Sequence, residues 1–216
     1  AGTEGGLYTS DDYGQHWTQT QFGLPICPIS DLTFRNNDLI VSTLGRSFWI
    51  LDDLSALQQT EDLLKKDDLQ LFTPRINYRY VGGIRTGGAG TNPMSGAILD
   101  YFLPEEMDST EIKLEILDQQ GEVVRSYSSI VDEDFKKYDG GPQEAKLLTT
   151  KKGMNRINWD LRRATLPGVE KVFTLGSYAG SFVAPGEYTL RLSDSTTVLE
   201  KPLTIKADPR MNIPQA

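Results

Sequence analysis

Short apolar runs separated by turn residues fill the first fifty positions of the chain. Strands are predicted at residues 7–9, 17–21, 29–34, 39–44 and 47–52, with turns at 35–38 and 45–46. The run Leu39-Ile40-Val41 is apolar at every position, which favours a strand that is buried on both faces. This part of the chain is therefore predicted to consist of short β-strands joined by turns.

A second β-rich region begins at Ala97. Ile112, Leu114 and Ile116 alternate with polar residues, which is typical of a half-buried strand. Strands are predicted at residues 97–103, 111–117, 122–130, 154–161, 186–192 and 198–206. Because the apolar face of each strand must be covered, the pattern favours a β-sandwich of two sheets, with Trp159 as an aromatic residue of its core.

The two regions are joined by a less regular segment. Residues 55–66 combine leucines with good helix formers and predict a short amphipathic helix, and residues 69–72 and 76–81 predict strands on either side of Pro74. Residues 82–93 are rich in glycine but lack the Gly-Lys-Ser/Thr ending of a phosphate-binding loop, so a flexible loop without a cofactor is predicted. The predicted division is 1–54, 55–96 and 97–208.

Composition narrows the range of partners. The net charge of −8 and the pI near 4.8 argue against binding to nucleic acid. No apolar run is long enough to cross a membrane. Cys27 is the single cysteine and His16 the single histidine, so a multi-cysteine zinc site or an intrachain disulfide is excluded and no metal site is predicted. Cys27 is expected to be a small buried apolar residue.

One motif lies between the first two predicted strands. In Ser10-Asp11-Asp12-Tyr13-Gly14-Gln15-His16-Trp17, the side chains of Ser10 and Asp12 can hydrogen-bond the backbone of a tight turn. Gly14 permits a positive φ, and Trp17 supplies an apolar ring under the loop. The pattern resembles the Asp box (BNR repeat) of sialidases, sortilin-like receptors and xyloglucanase-type propellers, with His16 where that family usually has Thr. In those families the box is structural.

Two further resemblances extend along the chain. Residues 7–21 and 29–52 are interpreted as the end of one blade and most of the next, about 40 residues apart, and residues 42–54 resemble the ending of the last blade in bacterial BNR propeller proteins. Residues 115–125, 153–162 and 183–192 resemble parts of the immunoglobulin-like domain of flagellar hook-capping proteins. The resemblances imply an all-β chain of incomplete β-propeller blades followed by an immunoglobulin-like β-sandwich, with an extracellular or periplasmic location. The chain opens in a blade-like pattern, so we expect it to be a fragment.

Candidate ligand contacts lie near the end of the second blade-like segment, residues 29–52. Phe48 and Trp49 could stack on a sugar ring and Arg46 could bind a carboxylate, although core packing is expected for Trp49. Tyr78, Tyr80 and Tyr101 are further candidates for stacking on a sugar, although a position in the core is expected for them as well. A glycosidase needs two facing carboxyl groups about 5–10 Å apart, and the acids here lie at turns and strand ends. No catalytic residue is therefore predicted.

These features predict a non-catalytic C-terminal region of a secreted BNR-propeller protein, which provides structural support or contacts a protein or a polysaccharide. The alternative is the C-terminal end of a glycoside hydrolase of the xyloglucanase or sialidase-like kind, with its catalytic residues upstream. Residues 131–152 and 163–180 are predicted surface loops on which binding could reside. Blade strands without neighbours are expected to leave open edges, which makes a homodimer through these strands a candidate assembly.

Overall fold

A computed structural model of the chain describes residues 1–20, 22–60, 68–80, 95–170, 172 and 175–211. The protein is all-β, with 40% of residues in strands, 2% in helix and one sheet curled into a half-barrel. Two compact units divide it, Ala1–Lys66 and Asp67–Ala216. This division falls inside the segment 55–96 that separates the two predicted β-regions. No helix among the described residues has the length and apolar content needed to cross a bilayer.

The first unit contains two antiparallel three-stranded sheets in which each strand pairs with the next along the chain. The strands of the first sheet are β1 (Gly2–Thr3), β2 (Gly6–Thr9) and β3 (Thr18–Gln19). Those of the second are β4 (Ile29–Arg35), β5 (Asp38–Thr43) and β6 (Phe48–Leu51). All five predicted strands of this region are confirmed, with shifts of a few residues at their ends.

The β4–β5 hairpin has a tight two-residue turn. Asn36 and Asn37 adopt positive φ angles of 51° and 64°, which asparagine tolerates better than most residues. The turn is tied to the segment after β6, because the backbone N–H of Leu54 donates to the carbonyl of Asn37 at 2.7 Å and the Asn37 amide donates to Ser55 Oγ at 2.9 Å. The Asp-Asp-Leu-Ser sequence that follows β6 therefore closes the sheet at this end.

The apolar core of the first unit lies on one side of the β4–β6 sheet. Its buried members come from both sheets and from the connecting segments: Leu7, Leu24, Leu39, Val41 and Leu54. Burial along β5 alternates, with Leu39 and Val41 buried and Ile40 half-buried. The expectation that β5 is buried on both faces is therefore wrong, because within the described unit only one face of this sheet is covered.

The second unit contains β7 (Gln70–Leu71), β8 (Asn77–Arg79), β9 (Ala97–Leu103), β10 (Lys113–Leu117), β11 (Val123–Ser128), β12 (Gly153–Trp159), β13 (Gly186–Ser193) and β14 (Val198–Ala207). Five strands form one sheet in the order β11-β10-β13-β14-β8, and three form another in the order β12-β9-β7. Strand β8 runs parallel to β14, and the other pairs are antiparallel. The strands predicted here are confirmed.

The segment between the units is described in part. A 3₁₀ turn spans Leu57–Gln59 where the sequence predicts the start of an α-helix over 55–66. Residues 61–67, in which that prediction continues, lie outside the described residues. The glycine-rich stretch 82–93 lies outside them as well.

One apolar core joins the two sheets of the second unit. Trp159 and Leu99 from the three-stranded sheet and Ile116 and Leu190 from the five-stranded sheet are all fully buried. The rings of Trp159 and Tyr188 meet edge to face, with centroids 6.0 Å apart. The prediction that Trp159 belongs to the core is confirmed.

The sequence predicts three tyrosines in that core, and the structure buries only one of them. Tyr101 is 1% exposed, which confirms its prediction. Tyr78 and Tyr80 are 45% and 44% exposed, so the prediction is wrong for them. Tyr78 lies on β8, which is the last strand of its sheet and pairs only with β14 among the described strands. The edge position leaves its side chain open to solvent.

Replacing Trp159 with alanine should destabilise the second unit strongly. The change empties a fully buried site and removes the indole N–H that donates to the Arg162 carbonyl at 2.8 Å. We expect the free energy of unfolding to fall by ~3–5 kcal/mol, measured by chemical denaturation followed by circular dichroism. Trp17→Ala is the control, since Trp17 is 51% exposed. A loss equal to that of the control would contradict the core assignment.

The uncovered face of the β4–β6 sheet should promote self-association. Ile50 pairs with Ile40 on β5, and Phe48 and Ile50 are 73% and 59% exposed on β6, which ends the sheet. We expect a concentration-dependent dimer in light scattering after gel filtration, and Ile50→Lys should shift it to monomer. Val123→Lys, on the outermost strand β11 of the second unit, is the matched control. A monomeric parent chain at all concentrations would refute this expectation.

Candidate functional site

The Ser10–Trp17 motif forms a hydrogen-bonded turn between β2 and β3. Ser10 Oγ accepts the backbone N–H of Gly14 at 2.7 Å and donates to Asp12 Oδ1 at 2.8 Å. Gly14 has a φ of 88°, which a residue with a Cβ adopts at a cost. The roles predicted for Ser10, Asp12 and Gly14 as turn residues agree with these contacts.

Asp12 is held by His16, the residue at which the motif differs from the usual box. The backbone N–H of His16 donates to Asp12 Oδ1 at 2.9 Å, and the imidazole Nδ1 lies within hydrogen-bond distance of Oδ2. The backbone bond first and the side-chain bond second lower the pKa of Asp12 to about 2. Histidine therefore occupies this position without loss of the turn, because it supplies a second partner for the carboxylate.

Trp17 reaches back to the turn but is not buried by it. Its indole N–H donates to the Gly14 carbonyl at 3.1 Å, and the side chain is 51% exposed. The expected position under the loop is therefore correct only for the polar edge of the ring. The neighbouring strands β1, β2 and β3 have two to four residues each and leave the indole half exposed.

The turn between β5 and β6 is held by the same kinds of hydrogen bond as the Ser10–Trp17 turn. Thr43 Oγ1 accepts the backbone N–H of Arg46 at 3.1 Å and donates to the Ser47 carbonyl at 2.7 Å. The indole N–H of Trp49 donates to the Arg46 carbonyl at 2.9 Å, as Trp17 does to Gly14. Both turns thus pair a hydroxyl that accepts a backbone N–H with a tryptophan that caps a carbonyl three residues earlier.

The predicted ligand contacts Arg46, Phe48 and Trp49 are exposed but do not converge on one surface. Trp49 is 38% exposed, so the expectation that it packs in the core is wrong. It lies on the same face as buried Val41, its cross-strand partner, but at the end of the sheet. Phe48 precedes it on the strand and therefore faces the opposite side. The two rings cannot form a single platform for a sugar.

A larger concave surface lies in the second unit, between the two loops that the sequence assigns to the surface. The first loop is part of 131–152 and the second part of 163–180. They enclose a cavity of about 910 Å³ and, beside it, one of about 400 Å³. Tyr138, Pro142, Gln143 and Thr165 line both, so the two cavities adjoin along these residues.

Backbone hydrogen bonds fold the second loop back on itself. The N–H of Arg163 donates to the Ser181 carbonyl at 2.9 Å, and the N–H of Leu166 donates to the Tyr178 carbonyl at 2.8 Å. The Arg162 guanidinium also donates to the carbonyl of Gly180 at 2.9 Å. This wall of the cavity is therefore held by a ladder although it belongs to no named strand.

The first loop is fastened to the sheet where it returns to β12. The hydroxyl of buried Tyr101 donates to the Thr149 carbonyl, and Thr149 Oγ1 donates to Asn155 Oδ1 at 2.7 Å. The Asn155 amide donates in turn to the carbonyls of Lys151 and Gly153. Asn155 is 4% exposed, so the loop ends on a buried polar network instead of an open hinge.

The floor of the cavity contains a cation whose position is set by the protein. Arg125 Nη1 donates to the Arg163 carbonyl at 3.1 Å, and the guanidinium lies 5.2 Å from the ring centroid of Tyr127. On the wall, burial first and the neighbouring Tyr178 hydroxyl second raise the pKa of Tyr138. The Tyr138 hydroxyl therefore stays protonated at neutral pH.

Sequence reasoning located these loops but not their functional residues. Both loops were expected to run over the surface and to be able to bind, and the cavities do lie between them. Tyr138, Gln143 and Tyr178 were not singled out. A tyrosine in a polar, glycine-containing loop could have indicated a binding residue, because few neighbouring residues in the sequence are apolar enough to bury its ring.

Comparison with protein-family models, with curated proteins and with solved structures gives no match to this chain. Within the described residues, no group of three or more His, Cys, Asp or Glu side chains could hold a metal ion. The functional interpretation therefore depends on the geometry of the two turns and of the loop cavities.

The carboxyl group of Asp12 should titrate near pH 2. Its depressed pKa means that this group stabilises the turn above pH 3.8, and that the contribution is lost as the pH falls toward 2. The measurement is the carboxyl carbon shift of Asp12 by NMR as a function of pH. His16→Ala should raise the midpoint only part of the way toward 3.8, because the backbone N–H of residue 16 remains. A midpoint at 3.8 in the parent chain would show that the turn does not form.

Proposed function

We propose that this chain is a non-catalytic region of a secreted BNR-propeller protein that supports the propeller and contacts a polysaccharide, in an extracellular or periplasmic setting. In this proposal the first unit consists of propeller blades and the second is an immunoglobulin-like domain. The observation that supports it best is the pair of turn-braced antiparallel sheets in the first unit, which share one apolar core.

The two turns support the assignment to blades because the same pattern of hydrogen bonds holds both of them. In each, a hydroxyl group accepts a backbone N–H inside the turn, and a tryptophan donates to a carbonyl three residues before it. A propeller is a radial repetition of small sheets, so a recurring turn device in successive sheets is expected of one.

The packing of the second unit supports the immunoglobulin-like assignment. Its two sheets contribute buried residues to one core around Trp159, which is how the sheets of such domains pack. Strands β10, β13 and β14 form the middle of the larger sheet, and the two long loops leave from the ends of β11 and β12. A stable framework that presents loops suits a contact function.

The carboxylates with shifted pKa values support a non-catalytic role. A glycosidase needs one carboxylic acid whose pKa is raised, so that it can donate a proton. At Asp208, hydrogen bonds from Arg210 lower the pKa to about 2. At Asp194, burial acts in the opposite direction, but bonds from Thr196 and Thr197 outweigh it and lower the pKa. Together with Asp12, these groups are fixed as turn-stabilising anions.

Incubation of the chain with neutral polysaccharides should release no new reducing ends. The physical reason is the structural use of its acids, and the measurement is a reducing-sugar assay on glucan, xylan and mannan over a day. Enzyme-free polysaccharide is the blank. Turnover that disappears on changing an acid of this chain to its amide would overturn the proposal and favour the alternative, a glycoside hydrolase.

A further inference from the structure

We infer that the two loop cavities of the second unit together form a groove that binds a segment of a neutral polysaccharide. The groove is defined here by the residues of 131–145 and 165–180 that line the two cavities, together with Arg125 and Asp160. The inference deepens the proposed contact function and rests on it, since it assumes that the bound chain is held and not cleaved.

The size of the groove fits more than one sugar residue. The larger cavity has a volume of about 910 Å³ and the smaller one of about 400 Å³. Binding sites for small ligands usually occupy about 300–1,000 Å³. Because Tyr138, Gln143 and Thr165 line both cavities, a single extended ligand could contact these residues while occupying both.

The polar groups of the groove match the chemistry of sugar hydroxyls. Gln143 offers an amide donor and acceptor, Thr165 and Ser177 offer hydroxyls that do both, and Tyr178 adds a phenol. A sugar hydroxyl also donates and accepts, so it can satisfy these groups in pairs. A site of mixed donors and acceptors leaves buried groups unpaired when an apolar ligand enters it, and this disfavours such ligands.

The aromatic groups of the groove can cover the apolar faces of sugar rings. Tyr138 and Tyr178 both line the larger cavity. The ring of Tyr138 is held in place by Gly141, where a Cβ atom would lie only 2.8–2.9 Å from three ring atoms. Only glycine allows this close approach, so the ring is positioned before a ligand arrives. A fixed aromatic ring lowers the entropy that binding would otherwise cost.

Charge in the groove excludes anionic ligands. Six carboxylates line it against three cations, Arg125, Lys136 and Lys137; the carboxylates are those of Asp132, Asp134, Asp139, Glu144, Asp160 and Glu170. The cations are in part engaged, since Lys136 lies 3.8 Å from Glu170 and Arg125 donates to the Arg163 carbonyl. Sulfated or uronic polysaccharides and nucleic acids would be repelled.

The carboxylates do not form a site for a polycation either. Asp132 Oδ1 accepts the backbone N–H of Asp134 at 3.1 Å, and Asp160 Oδ1 accepts that of Arg162 at 3.2 Å. These oxygens serve the local turns, and they are spread over both loops instead of meeting at one point. Neutral, hydroxyl-rich chains are therefore the ligands that the groove fits best.

The test is binding of the whole chain to neutral oligosaccharides of glucan, mannan, xylan and galactan, with polygalacturonate and a polylysine peptide as charged probes, first on a printed array and then by calorimetry with the strongest neutral ligand. We expect binding, and a loss of affinity of at least about tenfold in Tyr178→Ala because a stacking ring is removed. Tyr178→Phe should stay within about threefold of the parent, since the ring remains. Gln143→Ala should weaken binding with no change in the thermal melt.

Tyr78→Ala is the matched control, because Tyr78 is an exposed tyrosine of the same unit that lies on β8 and outside the groove. It should leave affinity unchanged. The inference is overturned if none of the neutral glycans binds, if only polygalacturonate or a polylysine peptide binds, or if Tyr78→Ala weakens binding as much as Tyr178→Ala. Cleavage of a glycan that does bind would instead refute the proposed non-catalytic function and leave the groove in place.

Discussion

The longer strands of this protein form sheets with an apolar face that must be covered, and how each face is covered determines much of the rest of the structure. In the second unit two sheets cover one another around Trp159, whose ring is fully buried and whose N–H is satisfied by the Arg162 carbonyl. Among the described residues of the first unit, the β4–β6 sheet is covered on one face only, and Phe48 and Ile50 are exposed on the other. The two units therefore differ in how the apolar faces of their sheets are covered.

The core of the second unit is formed mainly by its sheets, so its two long loops are available for other contacts. In the part of the second unit that the structure describes, the buried core contains no residue of 131–145 or 165–180, and described residues of both loops line the groove. The backbone hydrogen bond from Leu166 to Tyr178 folds the second loop back on itself, and the buried Asn155 network fastens the end of the first loop to the sheet. A groove on a rigid framework can bind with little ordering cost.

Much of the strand pattern could be predicted from the sequence, because alternation along a strand is a local property. Ile112, Leu114 and Ile116 are fully buried as their alternation indicates, and β9 spans the predicted residues. Predictions of burial failed on one face of β5 and for aromatic residues on or beside edge strands. Trp49, Tyr78 and Tyr80 are apolar enough for a core, but whether a neighbouring strand or sheet covers them depends on the order of strands, which no local pattern contains.

The sequence by itself determined the all-β class, the turn chemistry of Ser10, Asp12 and Gly14, and the core role of Trp159, since each follows from residue type and near-neighbour spacing. Only the tertiary structure decided that the Phe48 and Ile50 side of the β4–β6 sheet lacks cover among the described residues, and that Tyr138 and Tyr178 line one cavity. Tyr138 and Tyr178 lie on different loops far apart in the chain. Their approach depends on where β11, β12 and β13 place the loop ends, which is a property of long-range strand pairing.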